Sequence, residues 1–193
     1  MFRRLFVLMF AALAATAAAA AGAASEEAFW STLKSGGHVV LIRHAVTDPG
    51  IGDPPGFTIG NCSTQRNLSA KGRADAKRLG EAFRSRNIPI ADVLSSRWCR
   101  CIDTAQLAFG RVTPAPMLDS MFRDGEGAGG EKVREVLAAA GRRTGSGNLI
   151  LVTHAQNIQA LAGVSPSSGE MVVVTLDGAG KFKVVGRLEV PGG

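Results

Sequence analysis

The chain reads as an α/β domain, a three-layer sandwich whose mostly parallel central sheet carries helices on both faces and an antiparallel edge. Two runs of four aliphatic residues, Val39–Ile42 and Leu149–Val152, have the uninterrupted apolar character of strands buried on both sides. Between them, stretches with apolar residues at helical spacing alternate with further strand candidates. At the end, Met171–Leu176 and Lys181–Val190 flank a turn at Asp177–Gly180 and read as an antiparallel hairpin.

In chain order, residues 1–24 read as a signal peptide. Arg3 and Arg4 precede an apolar block from Leu5 to about Ala21, and Ala21, Gly22 and Ala23 resemble a small-residue cleavage site. The rival for this segment is an uncleaved membrane anchor. Cleavage leaves residues 25–193, one domain with chain enough for a sizeable core.

Glu26–Lys34 fits a short helix stopped by Gly36 and Gly37 before the first strand. From Thr47 to Asn67 the chain is rich in Gly and Pro, a long irregular loop of the kind that shapes a binding site. Ser69 is placed as the N-cap of a helix over Ala70–Arg86, with Ala74, Leu79, Ala82 and Phe83 on its apolar face. Ile88–Leu94 is the next strand candidate. Ser96 is read as capping a helix that runs to about Ala108, with Gly110 as its stop. Met117–Gly130 is ambiguous, Glu131–Ala140 helical, Gly141–Gly147 a turn and Gln156–Ala162 a short helix.

The formal charge of +6 falls to +4 once Arg3 and Arg4 are removed, because no acid precedes Glu26. That excess attracts anions mildly. With no Lys/Arg tract and no Tyr, it is not the footprint of a nucleic-acid binder. The basic residues between Lys71 and Arg86 fit a solvated helix face.

Three cysteines, Cys62, Cys99 and Cys101, lie beyond the leader. In an exported chain two should be bridged. Cys99 and Cys101 are two residues apart in one expected helix and point to different faces, so Cys62 pairs with one of them. Cysteines one residue apart with no neighbouring His make poor zinc ligands, and no metal or cofactor is expected.

Both buried strands end in polar residues: Arg43 and His44 after the first, Thr153 and His154 after the second. Ligands of open α/β sheets bind at the carboxyl ends of strands. Arg100, just inside a helix, is placed to join them. Two Arg and two His around one small volume call for an anion, and a phosphoryl group suits the guanidinium fork.

These residues carry a resemblance. Leu41-Ile42-Arg43-His44-Ala45 resembles the opening motif of the histidine phosphatase superfamily, the phosphoglycerate-mutase-like proteins. Leu68, Ser69, Gly72, Ala76, Leu79 and Gly80 are similar to the family's first helix. Ser95, Ser96, Arg100, Thr104 and Ala105 resemble its second-arginine motif, and Val152-Thr153-His154-Ala155 its second-histidine motif, with Ala where Gly is common.

The resemblance implies a metal-independent phosphomonoesterase. His44 attacks phosphorus and forms a phosphohistidine, Arg43, Arg100 and His154 hold the equatorial oxygens, and water completes turnover. It leaves the general acid open. Ala155 removes the Asp that sometimes follows the second His, and Asp119, Asp124, Glu126 and Glu170 are the candidates, Glu170 being included in the catalytic set.

Thr47, Asp48, Asn61, Gln65 and Arg66 are placed around the leaving group. A bridge from Cys62 to the Arg100 helix would pin that loop beside the site. Export implies a periplasmic or secreted enzyme without a stable membrane span. An exported branch of the family that dephosphorylates lipopolysaccharide core heptose makes a cell-envelope sugar phosphate the implied substrate. The alternative is a non-catalytic phosphate-binding module of the same fold. Free-thiol counting on exported, unreduced protein is expected to find one thiol per chain; three would contradict the bridge.

Overall fold

Residues 25–189 are described in a computed structural model; the leader assigned to residues 1–24 lies outside them. Six strands form one sheet: β1 (Val39–Arg43), β2 (Ile90–Ser95), β3 (Thr113–Pro114), β4 (Asn148–Thr153), β5 (Met171–Leu176) and β6 (Phe182–Leu188). Their spatial order is β3-β2-β4-β1-β5-β6. The first four strands in that order are parallel, and β5 joins β1 antiparallel and pairs with β6 as the terminal hairpin.

The helices are α1 (25–35), α2 (Ala70–Ser85), α3 (Cys99–Phe109), α4 (Glu126–Gly141) and α5 (Ala155–Ala162). Alternation along the strands sends Val40, Ile42, Ile150 and Val152 to one face, where they pack on Trp30 and Leu33 of α1, Leu79 and Phe83 of α2 and Ala105 of α3. Val39, Leu41, Leu149 and Leu151 face the other way, onto Val136 and Ala140 of α4 and Ile158 and Leu161 of α5. The result is the three-layer arrangement expected from the sequence. Among the described residues no helix is long and apolar enough to cross a membrane.

Several boundaries differ from the sequence reading for physical reasons. Strand β2 starts at Ile90 rather than Ile88, because the Ile88 N–H closes onto the Phe83 carbonyl and Pro89 follows. Helix α4 begins at Glu126, five residues early; Gly127, Gly129 and Gly130 contribute no apolar period to read. Ser96 does not cap α3. Trp98 holds the N-cap position, and the Ser96 hydroxyl lies 2.9 Å from His154 Nε2 instead. Ser69 does cap α2, accepting from the Gly72 N–H at 3.1 Å, and Gly110 ends α3 at φ 68°.

The disulfide joins Cys62 to Cys99 across 37 residues, leaving Cys101 buried and free. It fastens the 47–67 loop to the first residue of α3. Closing a loop of that length stabilises the fold by roughly 3–4 kcal/mol in the chain-entropy account.

Two glycines explain why α2 sits where it does. A Cβ on Gly72 would lie 1.9 Å from the Val46 carbonyl oxygen, and one on Gly80 would lie 2.0 Å from that of Ala108. These contacts are with backbone, which cannot swing aside. Gly80→Ala is expected to cost about 1–3 kcal/mol or more in urea unfolding, whereas Gly127→Ala, with open space around it, should leave stability unchanged or raise it.

Candidate active site

The site follows from the pairing of β1 with β4. The strands run parallel with Arg43 opposite Thr153, so the next residue on each, His44 and His154, leaves the sheet at the same edge. The His44 N–H donates to the Thr153 carbonyl at 3.0 Å, locking the two exits together. The imidazole centroids are 5.5 Å apart, and the residues are only 5% and 2% exposed. They share a cleft of about 370 Å³ with Arg43, Asp53, Arg66, Trp98, Arg100 and Asp124.

His44 Nδ1 lies 2.9 Å from the carbonyl of Ala45. A carbonyl only accepts, so Nδ1 carries the proton and the Nε2 lone pair is available for attack. Burial pushes the His44 pKa down to about 3; its own hydrogen bond to Ala45 resists, and the charges of Arg100, Arg43 and Arg66 add to the lowering. His154 is also held well below the usual imidazole range, by burial first and then by His44, Arg100, Lys132 and Arg43. Both rings are neutral bases at neutral pH.

Each arginine is anchored by part of its guanidinium. Arg43 donates to the Pro166 carbonyl at 2.9 Å, and Arg66 to the Gly52 carbonyl and the Thr47 hydroxyl. Arg100 gives both terminal nitrogens to Asp53, at 2.7 and 3.2 Å, in an ion pair buried on both sides. Its expected fork therefore grips a carboxylate of the loop. Among the described residues the Nε atoms of Arg43 and Arg100 are buried without a partner.

Asp53 was not singled out as a site residue by the sequence. It sits in the Gly/Pro-rich loop, and its only sequence signal is a carboxylate in a loop expected to shape the site. Burial alone would raise its pKa, but hydrogen bonds from Arg100, the Arg66 N–H and the Trp98 indole outweigh that and hold it below the usual carboxylate range. Asp53 thereby orders Arg66, Trp98 and Arg100 around one point. Thr104 adds a second tie, accepting from the Ala45 N–H and donating to the Arg100 carbonyl.

The structure places several other expected residues outside the lining of this cleft. Glu170 is buried away from the cleft: its oxygens accept from Arg187 Nε at 2.6 Å and the Ser167 N–H at 2.7 Å, so it braces the 165–170 turn against β6. Gln65 is a strut, accepting from the Cys99 N–H and donating to the Thr58 carbonyl. Asn61 caps a turn at Cys62–Thr64 on the exposed surface. Thr47 reaches the cleft only through Arg66, and Asp48 is not part of its lining.

Of the acid candidates, Asp124 lines the cleft, whereas Asp119 is turned onto Arg97. The 118–124 segment is held from several sides. Thr153 donates to the Leu118 carbonyl, Asn157 to the Asp119 carbonyl, and Lys132 to the Asp119 carbonyl and, at 2.6 Å, to Asp124 Oδ2.

The depressed histidines set a pH dependence. Between an unfolded-state histidine pKa near 6.5 and the folded value of about 3 at His44, the unfolded chain binds more protons. Stability therefore falls as pH drops through that window. The urea midpoint is expected to decline from pH 7 to pH 4, and less steeply in His44→Gln; an equal slope in that variant would contradict the assignment.

Residues 39–126 match the model of the histidine phosphatase superfamily, branch 1. A search among curated proteins returns no match. Solved structures share the fold. The protein histidine phosphatase SixA complexed with tungstate is 15% identical, with 79% of this chain and 96% of that chain covered and a TM-score of 0.56. The alpha-ribazole phosphatase of Shigella flexneri is 17% identical over 79% and 96%, with a TM-score of 0.59. The phosphoserine phosphatase of Entamoeba histolytica, in complex with 3-phosphoglyceric acid, is 13% identical over 79% and 97%, with a TM-score of 0.58. Over residues 39–126 the chain is thus similar to the histidine phosphatase superfamily, and its fold is that of these solved phosphatases.

Proposed function

We propose that this chain is an exported, metal-independent phosphomonoesterase that works through a phosphohistidine on His44, with cell-envelope sugar phosphates as its substrate class. One observation carries the reading: two neutral, buried imidazoles 5.5 Å apart in a cleft that also holds Arg43, Arg66 and Arg100. Phosphatases with three different named specificities share the fold, so the fold suits phosphoryl transfer and leaves the choice of leaving group to the loops.

In the proposed sequence His44 Nε2 attacks phosphorus in line with the ester oxygen. The P–N bond forms as the P–O bond breaks, and Asp124 gives the leaving oxygen its proton. Arg43, Arg100 and the His154 N–H take the charge on the three equatorial oxygens. Water then attacks the phosphohistidine, Asp124 recovers a proton, and orthophosphate leaves.

The guanidiniums supply the positive charge that a metal supplies in other phosphatases. Asp124 in the cleft favours turnover over a non-catalytic binding module. The Cys62–Cys99 bridge fits the oxidising compartment that the leader implies, periplasmic or extracellular. Ser120, Gln156 and Asp124 on the lining offer hydrogen bonds to sugar hydroxyls.

His44→Ala is expected to abolish release of orthophosphate from p-nitrophenyl phosphate and from sugar phosphates, by roughly 10³-fold or more; retained turnover would overturn the assignment. Asp124→Asn should cost about 10²–10⁴-fold on a sugar phosphate and far less on p-nitrophenyl phosphate, whose leaving group departs without a proton. Equal losses on both substrates would remove Asp124 as the acid.

A further inference from the structure

Behind His154 lies a buried chain of polar groups that the mechanism above does not use. Ser96, fully buried, places its Oγ 2.9 Å from His154 Nε2 and 3.4 Å from Oδ1 of Asp119. Asp119 is 3% exposed; its Oδ1 also accepts from the Arg97 N–H at 2.8 Å and its Oδ2 from Arg97 Nε at 2.7 Å. The Ser96 hydroxyl has one proton and two acceptors within reach, so it serves one at a time.

We infer that Ser96 and Asp119 are positioning residues for His154, a hydroxyl rotor backed by a buried carboxylate that lets the second histidine take up a proton as a phosphoryl group binds. With the ring neutral, Ser96 donates to Nε2. That fixes the proton on Nδ1 and leaves it as the ring's donor. With the ring protonated, Nε2–H donates to Ser96 Oγ, and the hydroxyl turns to Asp119 Oδ1. Both states keep His154 Nε2 and Ser96 Oγ hydrogen-bonded to each other, and the Trp98 N–H, 3.3 Å from Oγ, can donate to it in either.

The charges around the ring explain why the protonated state needs a bound anion. Arg43 faces it from the end of β1, Arg100 from α3 and Lys132 from α4, and all three disfavour a further positive charge, while the neutral His44 ring beside it supplies no negative charge to offset them. Cys101, with Sγ 3.6 Å from Nε2, is a neutral thiol pushed up to about 12 by burial and has the Thr153 carbonyl at 3.7 Å as its own acceptor. Asp119, reached through Ser96, is the carboxylate wired to the ring.

A phosphoryl dianion in the cleft reverses the sign of the local field. In balance, ROPO₃H⁻ and neutral His154 become ROPO₃²⁻ and the imidazolium, with charge and atoms conserved; Nδ1–H faces the ester, so the ester's proton is released to solvent and the one gained on Nε2 is taken up from solvent. The catalytic consequence, a stronger donor to the equatorial oxygens, rests on the phosphatase reading. The proton uptake itself does not.

The chain has only three histidines, His38, His44 and His154, so nitrogen NMR of the histidine-labelled protein resolves each ring. With no anion at neutral pH, His154 is expected to carry its proton on Nδ1 alone, and saturating inorganic phosphate should protonate Nε2 as well. In Ser96→Ala the ring should stay singly protonated with phosphate bound, and Ser96→Thr should restore uptake. Asp119→Asn, which keeps the acceptor oxygen but loses its charge, should show partial uptake and secures the test if Ser96→Ala folds poorly.

In turnover, the alkaline limb of the kcat–pH profile should move down by about one pH unit in Ser96→Ala and return in Ser96→Thr. Unchanged His154 protonation in both Ser96→Ala and Asp119→Asn overturns the inference. Uptake present without any turnover leaves the inference standing and removes the phosphatase reading.

Discussion

The in-register parallel pairing of β1 with β4 is the constraint on which the rest of the molecule depends. It places His44 and His154, 110 positions apart in sequence, one residue past a shared rung of the ladder. A slip by one residue would turn one imidazole to the opposite face of the sheet. The register is defended by two apolar faces at once, Val39 and Leu41 toward α4 and α5, Val40 and Ile42 toward α1, α2 and α3. The hydrophobic core therefore sets the geometry of the chemistry.

Around that rung the problem is electrostatic. Arginines drawn close to two buried imidazoles would repel one another, and the fold answers by tethering each guanidinium to a fixed acceptor: Pro166, Gly52 with Thr47, and Asp53. The key counter-ion comes from the least regular part of the chain, the 47–67 loop, whose position is secured by Cys62–Cys99, Gln65 and Asp53 itself. Burial keeps the imidazoles unprotonated, and an oxyanion in the same volume would find donors already held in place.

The sequence was most legible where physics is local. Aliphatic runs ending in Arg-His and Thr-His identify buried strands with chemistry at their tips, and the Ser69 and Gly110 signals bound their helices. Side-chain partners formed across the fold were not legible. Glu170 looked available because nothing near it in sequence shows that Arg187, 17 residues on in β6, would claim it. Asp53 was lost among glycines and prolines for the converse reason, its importance coming from Arg100 47 residues away. Ser96 sits where a helix cap is expected, and only the arrival of His154 beside it changes its use.

The central claim is that two imidazoles and the cationic side chains form one phosphoryl site. A crystal structure with vanadate bound tests it most directly. The account requires the metal–oxygen centre at bonding distance from His44 Nε2, with equatorial oxygens on Arg43, Arg100 and His154 and an apical oxygen facing Asp124. Vanadate seated elsewhere, or a His44 ring turned away from it, would contradict the account.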